Sequence, residues 1–112
     1  MVAAKEESRN FGHNAGTVTL ILSSLAGGEK HGYSLVKDVE KFAGVHIAPG
    51  TLYEALARLE KLKFIEPVES DDRRRPYRLT ANGATALANQ LRAQRRAVNV
   101  GLKRLDGGGL IA

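Results

Sequence analysis

Residues 49–80 read PGTLYEALARLEKLKFIEPVESDDRRRPYRLT, and three local patterns follow one another within them. Leu52, Ala55, Leu56, Leu59 and Leu62 recur at helical spacing and would form one apolar helix face. Pro49 suits the first helical position because its missing N–H would have had no partner there. Ala48, preceding a proline, is pushed to extended geometry and makes a turn before that helix. Phe64, Ile65, Pro67 and Val68 form a short strand-like run, Asp71-Asp72 signals a turn, and Pro76-Tyr77-Arg78-Leu79 returns with alternation. That pattern predicts a β-hairpin with a charged loop. Pro76 would confine its strand to an edge, and Thr80 is a good N-cap for the next helix.

Upstream, Val18, Ile21, Leu22 and Leu25 recur at helical spacing after Asn14, a candidate N-cap, and Gly27-Gly28 ends the run. A second helix is predicted from about Gly32 to Phe42 through Leu35, Val36 and Val39, closed by Gly44. Downstream of Thr80 a long helix runs to about Leu105, before Gly107-Gly108-Gly109. Three short helices, a charged hairpin and a long helix, in that order, describe a mainly α winged helix-turn-helix with a small β-hairpin. The expected divisions are a lead-in at 1–13, the winged helix-turn-helix at 14–80, a C-terminal dimerisation helix at 81–106 and a tail at 107–112.

The whole chain has 112 residues, 43 % of them hydrophobic and 26 % charged, which is the composition of an ordinary globular domain. Its net charge of +5 is unevenly placed: residues 1–70 sum to −1 and residues 71–112 to +6. The excess lies in Arg73-Arg74-Arg75-Pro76-Tyr77-Arg78 and in Arg92, Arg95, Arg96, Lys103 and Arg104. Localised basic charge points to a polyanionic partner more than diffuse charge does, although a solvated charged loop has the same composition. With no cysteine, a disulfide scaffold, a thiolate metal site and a Cys nucleophile are excluded. His13, His31 and His46 have no metal-ligand spacing, so neither metal nor cofactor is expected. HExxH, Walker A and nucleophile-elbow motifs are absent, which argues against an enzyme. The longest apolar stretch, Val18 to Ala26, is broken by Thr19, Ser23 and Ser24 and is too short to span a bilayer. Met1 to Asn10 has no apolar h-region. A cytoplasmic protein is the expectation.

His31-Gly32-Tyr33-Ser34-Leu35, then Gly50-Thr51-Leu52-Tyr53-Glu54-Ala55-Leu56-Ala57-Arg58-Leu59-Glu60, then Arg74-Arg75-Pro76-Tyr77-Arg78-Leu79-Thr80-Ala81-Asn82-Gly83 resemble the PadR family of bacterial transcriptional regulators. The resemblance covers roughly residues 16 to 105, and the three motifs in this order are specific. It implies a DNA-binding repressor of the smaller subgroup, dimerising through one C-terminal helix, and a small-molecule effector bound between subunits as in some relatives. Glu54 and Pro76 depart from the family pattern, at the expected DNA surface.

The residues themselves nominate the contacts with double-stranded DNA. With Leu52, Leu56 and Leu59 inward, Gly50, Glu54, Ala57 and Lys61 turn outward, with Thr51, Tyr53 and Arg58 on the flanks. Gly50 and Ala57 permit close approach to a groove, Thr51 and Tyr53 offer hydroxyls, and Arg58 or Lys61 can meet phosphate or guanine. Competing roles are core packing for Tyr53 and a helix-start hydrogen bond for Thr51. Glu54 opposes phosphate unless it pairs with Arg58 at i+4 or accepts from a cytosine amine. Arg73, Arg74 and Arg75 on the wing would reach phosphates or a narrow minor groove, while alternation turns Arg78 to the opposite face. The resemblance places His31 and Tyr33 near the DNA backbone or in the packing behind it.

In the last helix Ala84, Leu87, Leu91, Val98, Leu102 and Leu105 follow intervals of three, four, seven, four and three, broken at Gln94/Arg95. Such a helix, on the order of 37 Å at about 1.5 Å per residue, outreaches three short helices. The exposed stripe of Leu87, Leu91, Val98, Leu102 and Leu105 therefore predicts a homodimer, against the alternative of a helix folded back on its own domain. A two-fold dimer would address half-sites one helical turn apart, hence a pseudo-palindromic site. A winged-helix interaction module with an acidic protein partner is the competing function.

Overall fold

The computed structural model describes residues 16–70 and 74–108. Asn14, His13, the Asp71-Asp72 turn, Arg73, the lead-in and most of the tail lie outside them. The elements are α1 (16–26), α2 (Gly32–Ala43), α3 (Pro49–Lys61), β1 (Ile65–Pro67), β2 (Tyr77–Leu79) and α4 (Ala81–Gly107). This is the expected order of a winged helix-turn-helix followed by a long C-terminal helix.

The core gathers one apolar face from each element: Ile21, Leu22 and Leu25 of α1, Leu35 and Val39 of α2, and Leu52, Leu56 and Leu59 of α3. Ile47 of the α2–α3 turn, Ile65 of β1 and Leu87 of α4 complete it. Gly44 ends α2 at φ 67°, a left-handed conformation that costs glycine little, and its N–H donates to Glu40 O. A short polar network ties α1 to α2: buried Ser24 donates to Asp38 Oδ2 at 2.7 Å, and Lys30 Nζ donates to Ser24 O at 2.5 Å.

β1 and β2 pair antiparallel, Ile65 with Leu79, Glu66 with Arg78 and Pro67 with Tyr77. On its other side β2 meets Lys30 through an isolated bridge, Lys30 N–H to Tyr77 O at 3.1 Å and Tyr77 N–H to Lys30 O at 2.9 Å. The sheet has two strands, so β2 is the edge strand expected, with a single bridge to Lys30 on its outer side. Pro76 lies one residue before β2, where its carbonyl accepts from Val68 N–H at 2.8 Å and no N–H is required of it.

The junction of α3, β1 and α4 is closely packed. Thr80 caps α4 as predicted, its Oγ1 accepting from Gly83 N–H at 3.0 Å while donating to Lys63 O at 2.6 Å. Thr80 N–H donates to Phe64 O at 3.0 Å. Gly83 is required at this crossing, since a Cβ there would collide with the Phe64 carbonyl and lie 2.8 Å from Leu79 Cδ1.

Two apolar residues read as inward-facing are corrected. Phe42 is half exposed, and Leu62, just past the end of α3, is 52 % exposed. Helical periodicity identifies a face only while the helix and its neighbours continue, and both lie where the neighbours have ended.

Candidate nucleic-acid interface

Because α3 buries Leu52, Leu56 and Leu59, its opposite side presents Gly50, Glu54, Ala57 and Lys61 to solvent. Nothing lies within 4 Å of a Cβ built on Gly50, so the backbone here is open to close approach. Ala48 supplies no side-chain cap and Pro49 opens the helix. The first-turn N–H groups of Gly50 and Thr51 therefore have no side-chain cap and lie at the positive end of the helix dipole, the arrangement that favours phosphate. Thr51 is exposed and makes no hydrogen bond among the described residues, so it is not spent on capping its own helix.

Both tyrosines are at the surface. Tyr53 is 65 % exposed and Tyr33 66 % exposed, which removes the core alternative for each. Lys37 Nζ stands 5.5 Å from the centre of the Tyr33 ring, within cation–π range, and 3.9 Å from Glu40. Sequence reading passed over Lys37, although its i+4 offset from Tyr33 was visible. His31 behaves differently: its Nδ1 is buried with no hydrogen-bond partner, which makes it part of the packing behind the surface.

Burial raises the pKa of Tyr77 in β2, the charges of Glu60 and Tyr53 raise it further, and Arg75 opposes them. Arg74 and Arg75 are exposed. Arg78 is paired with its cross-strand neighbour, Nε donating to Glu66 Oε1 at 2.7 Å.

Arg58 borders a cavity of about 230 Å³ between α1, α3 and α4, lined mainly by Val18, Leu22, Leu59, Phe64 and Leu87. The postulated Glu54–Arg58 pair does not form among the described residues, leaving Glu54 exposed without an ion-pair partner. Leu87, named as a dimer contact, is only 6 % exposed and belongs to its own domain's core. Leu91, Val98, Leu102 and Leu105 remain at the surface.

The sequence from α1 to the root of α4 matches the Transcriptional regulator PadR-like family over residues 21–89. The chain belongs to this family. An uncharacterized 37.1 kDa protein in transposon TN4556 of Streptomyces fradiae is 39 % identical over 77 residues. The match takes in 69 % of this PadR-like chain and 22 % of that protein, so the chain spans about a fifth of the relative's length. The structure of a transcriptional regulator from Clostridium thermocellum superposes with a TM-score of 0.71 at 32 % identity, covering 80 % of this chain and 90 % of that one. The winged-helix DNA-binding protein F93 from STIV shares the fold at 22 % identity and a TM-score of 0.66, covering 71 % and 88 %. The family is one of transcriptional regulators rather than enzymes. Among the described residues no helix is long and apolar enough to cross a membrane.

Proposed function

We propose that this PadR-like protein is a homodimeric repressor that binds a pseudo-palindromic promoter site and thereby blocks polymerase. One observation carries the reading: α3 begins with N–H groups that no side chain caps, beside exposed Thr51 and Tyr53. Tyr33 and Lys37 of α2 extend that surface, and the wing arginines Arg73, Arg74 and Arg75 supply charge beside it. Lys61 contributes from the far end of α3, with Gly50 and Ala57 admitting the groove. Arg58 is the weakest member of the nominated set, because it borders the cavity. A two-fold dimer duplicates this surface for two half-sites. An effector bound between subunits would act by changing the separation of the two reading helices.

The test is binding to the chain's own upstream DNA by fluorescence anisotropy across a salt series, with genomic footprinting in parallel. A steep loss of affinity with salt is expected, the slope of log K against log salt falling by about 0.9 for each wing arginine changed to Ala. Footprints should weaken at all sites together when Arg73, Arg74 and Arg75 are replaced. Unchanged occupancy in the triple variant refutes the wing assignment, and the absence of any salt-dependent binding to duplex refutes the DNA reading. It would then favour an acidic protein partner, for which unpaired Glu54 on the outward face is the supporting observation.

A further inference from the structure

The basic charge of α4 serves neither the core nor the reading surface. Arg92, Arg95, Arg96, Lys103 and Arg104 are all exposed, and Asp106, near the end, is the only carboxylate of the helix. None of the five cations forms an ion pair among the described residues, and Arg92 reaches only Asn89 Oδ1, at 3.5 Å. The helix dipole favours Arg104 in the last turn and Lys103 beside it. Arg92, Arg95 and Arg96 lie about three turns or more from the C-terminus, where the dipole has no reach. There Arg92 and Arg96 stand four residues apart, a like-charge pair that weakens an isolated helix. A partner of opposite charge removes that penalty.

At about 100° per residue, Arg92, Arg96 and Lys103 fall in one narrow stripe together with Asn99. Gly83, Ala86, Leu87 and Gln90, by which the root of α4 meets its own domain, lie on the opposite side of the helix. The exposed leucines and Val98 are about a third of a turn from the basic stripe, so covering them does not cover it. Helices α3 and α4 line one recess from two sides, through Arg58, Leu59 and Leu62 and through Ala86, Leu87 and Gln90. Their outward surfaces therefore look away from it in different directions, and a straight duplex lying on α3 leaves the ridge open.

The make-up of the ridge selects its partner. Four of the five cations of α4 are arginines, whose planar forks suit phosphate. No aromatic residue occurs in α4, so unpaired bases have nothing to stack on, which disfavours a single strand. Arg92 and Arg96 are about 6 Å apart along the axis and Lys103 about 10 Å further. The second step is close to the roughly 12 Å width of the major groove. A helix laid across that groove sets the arginines on the phosphates of one strand and the lysine on those of the other. Contacts of this kind hold a duplex without reading its sequence.

We propose that the Arg92–Arg96–Lys103 ridge of α4 is a second, sequence-independent surface for double-stranded DNA. With α3 and the wing on one duplex, the ridge takes another segment, and the protein joins two stretches of DNA. The joining rests on the DNA reading above, whereas the affinity of the ridge itself does not.

The variant Arg92→Gln/Arg96→Gln/Lys103→Gln changes exposed positions only and keeps good helix formers, so its circular dichroism should match wild type. Upstream duplex is fixed to beads, saturated with protein at low salt and offered a short labelled duplex of unrelated sequence. Wild type is expected to capture the second duplex. The variant should occupy the bead duplex as wild type does, while the salt slope of capture falls by about 0.9 for each cation replaced. Arg92→Lys/Arg96→Lys should retain capture. Undiminished capture by the Gln variant assigns it to a second reading surface and overturns the ridge, as does a wild type that holds the bead duplex and captures nothing. Poly-glutamate bound through these three residues without capture of duplex assigns the ridge to acidic protein and overturns it too. If the bead duplex is not bound at all, anisotropy with the Arg73→Ala/Arg74→Ala/Arg75→Ala variant still tests the ridge: its remaining affinity for duplex should vanish when the Gln changes are added, and its persistence refutes the proposal.

Discussion

The root and the tip of α4 belong to one continuous helix and answer to different physics. At the root, Gly83 and Leu87 are buried, Thr80 is tied to Lys63 and Gly83, and the helix is held against β1 with no room for a Cβ at Gly83. At the tip the same apolar spacing continues through Leu91, Val98, Leu102 and Leu105, which are exposed among the described residues. Spacing of apolar residues records that a helix face is to be covered, and does not record by what. The root is covered by its own fold. The tip is covered, in the proposed dimer, by a copy of itself.

Substitutions along α4 test that contrast directly. Gly83→Ala should have the largest effect, because its Cβ meets backbone rather than a movable side chain; about 3 kcal/mol or more of stability is lost. Thermal denaturation measures it, and a wild-type melting curve would show that root and strand can separate freely. Next comes a pair. Leu56→Ala, in the buried core, should cost about 3 kcal/mol at any protein concentration. Leu102→Ala should change the dilute melting temperature little, while weakening dimerisation and making the melt more dependent on concentration. Equal effects of the two at high dilution would erase the distinction between root and tip.

Thr80→Ala removes the N-cap and the bond to Lys63 together, and about 1 kcal/mol is expected to go. Thr80→Ser should restore most of it in chemical denaturation. The smallest effect is expected at high pH. Tyr77 has a raised pKa in the folded state, burial first and Glu60 next. Its contribution is therefore fully present below the ordinary tyrosine value of 10.0 and lost as pH rises through the elevated folded value. Melts taken across this alkaline limb should flatten in Tyr77→Phe, and an unchanged slope would assign the alkaline loss to other groups.

How far the candidate site was legible follows from how local each feature is. The start of α3 at Pro49, the end of α2 at Gly44 and the cap at Thr80 are set by each residue's own geometry or hydrogen bonding, and all three stand where the sequence put them. Tyr33 and Tyr53 were ambiguous because an aromatic at the edge of an apolar face packs or protrudes according to what lies opposite. Here nothing does. The pairing of Glu54 with Arg58 was permitted by i+4 spacing, yet Arg58 turns to the cavity beside α1 and α4. Pro76 marked an edge of the sheet, while only the structure shows that β2 begins one residue later and that Lys30 bridges it at Tyr77.

The amino-acid sequence by itself determined the elements, their order, the inward faces of α1 and α3, and the placing of the excess basic charge in the wing and the last helix. Those properties depend on backbone preference and periodicity, which act over a few residues. Tertiary structure alone decided that Leu87 is core while Leu91 is surface, that Arg58 borders a cavity while Tyr53 is exposed, and that Gly83 admits no side chain. Each of these depends on which distant segment lies within a few ångströms, and that distance is created only when the elements pack.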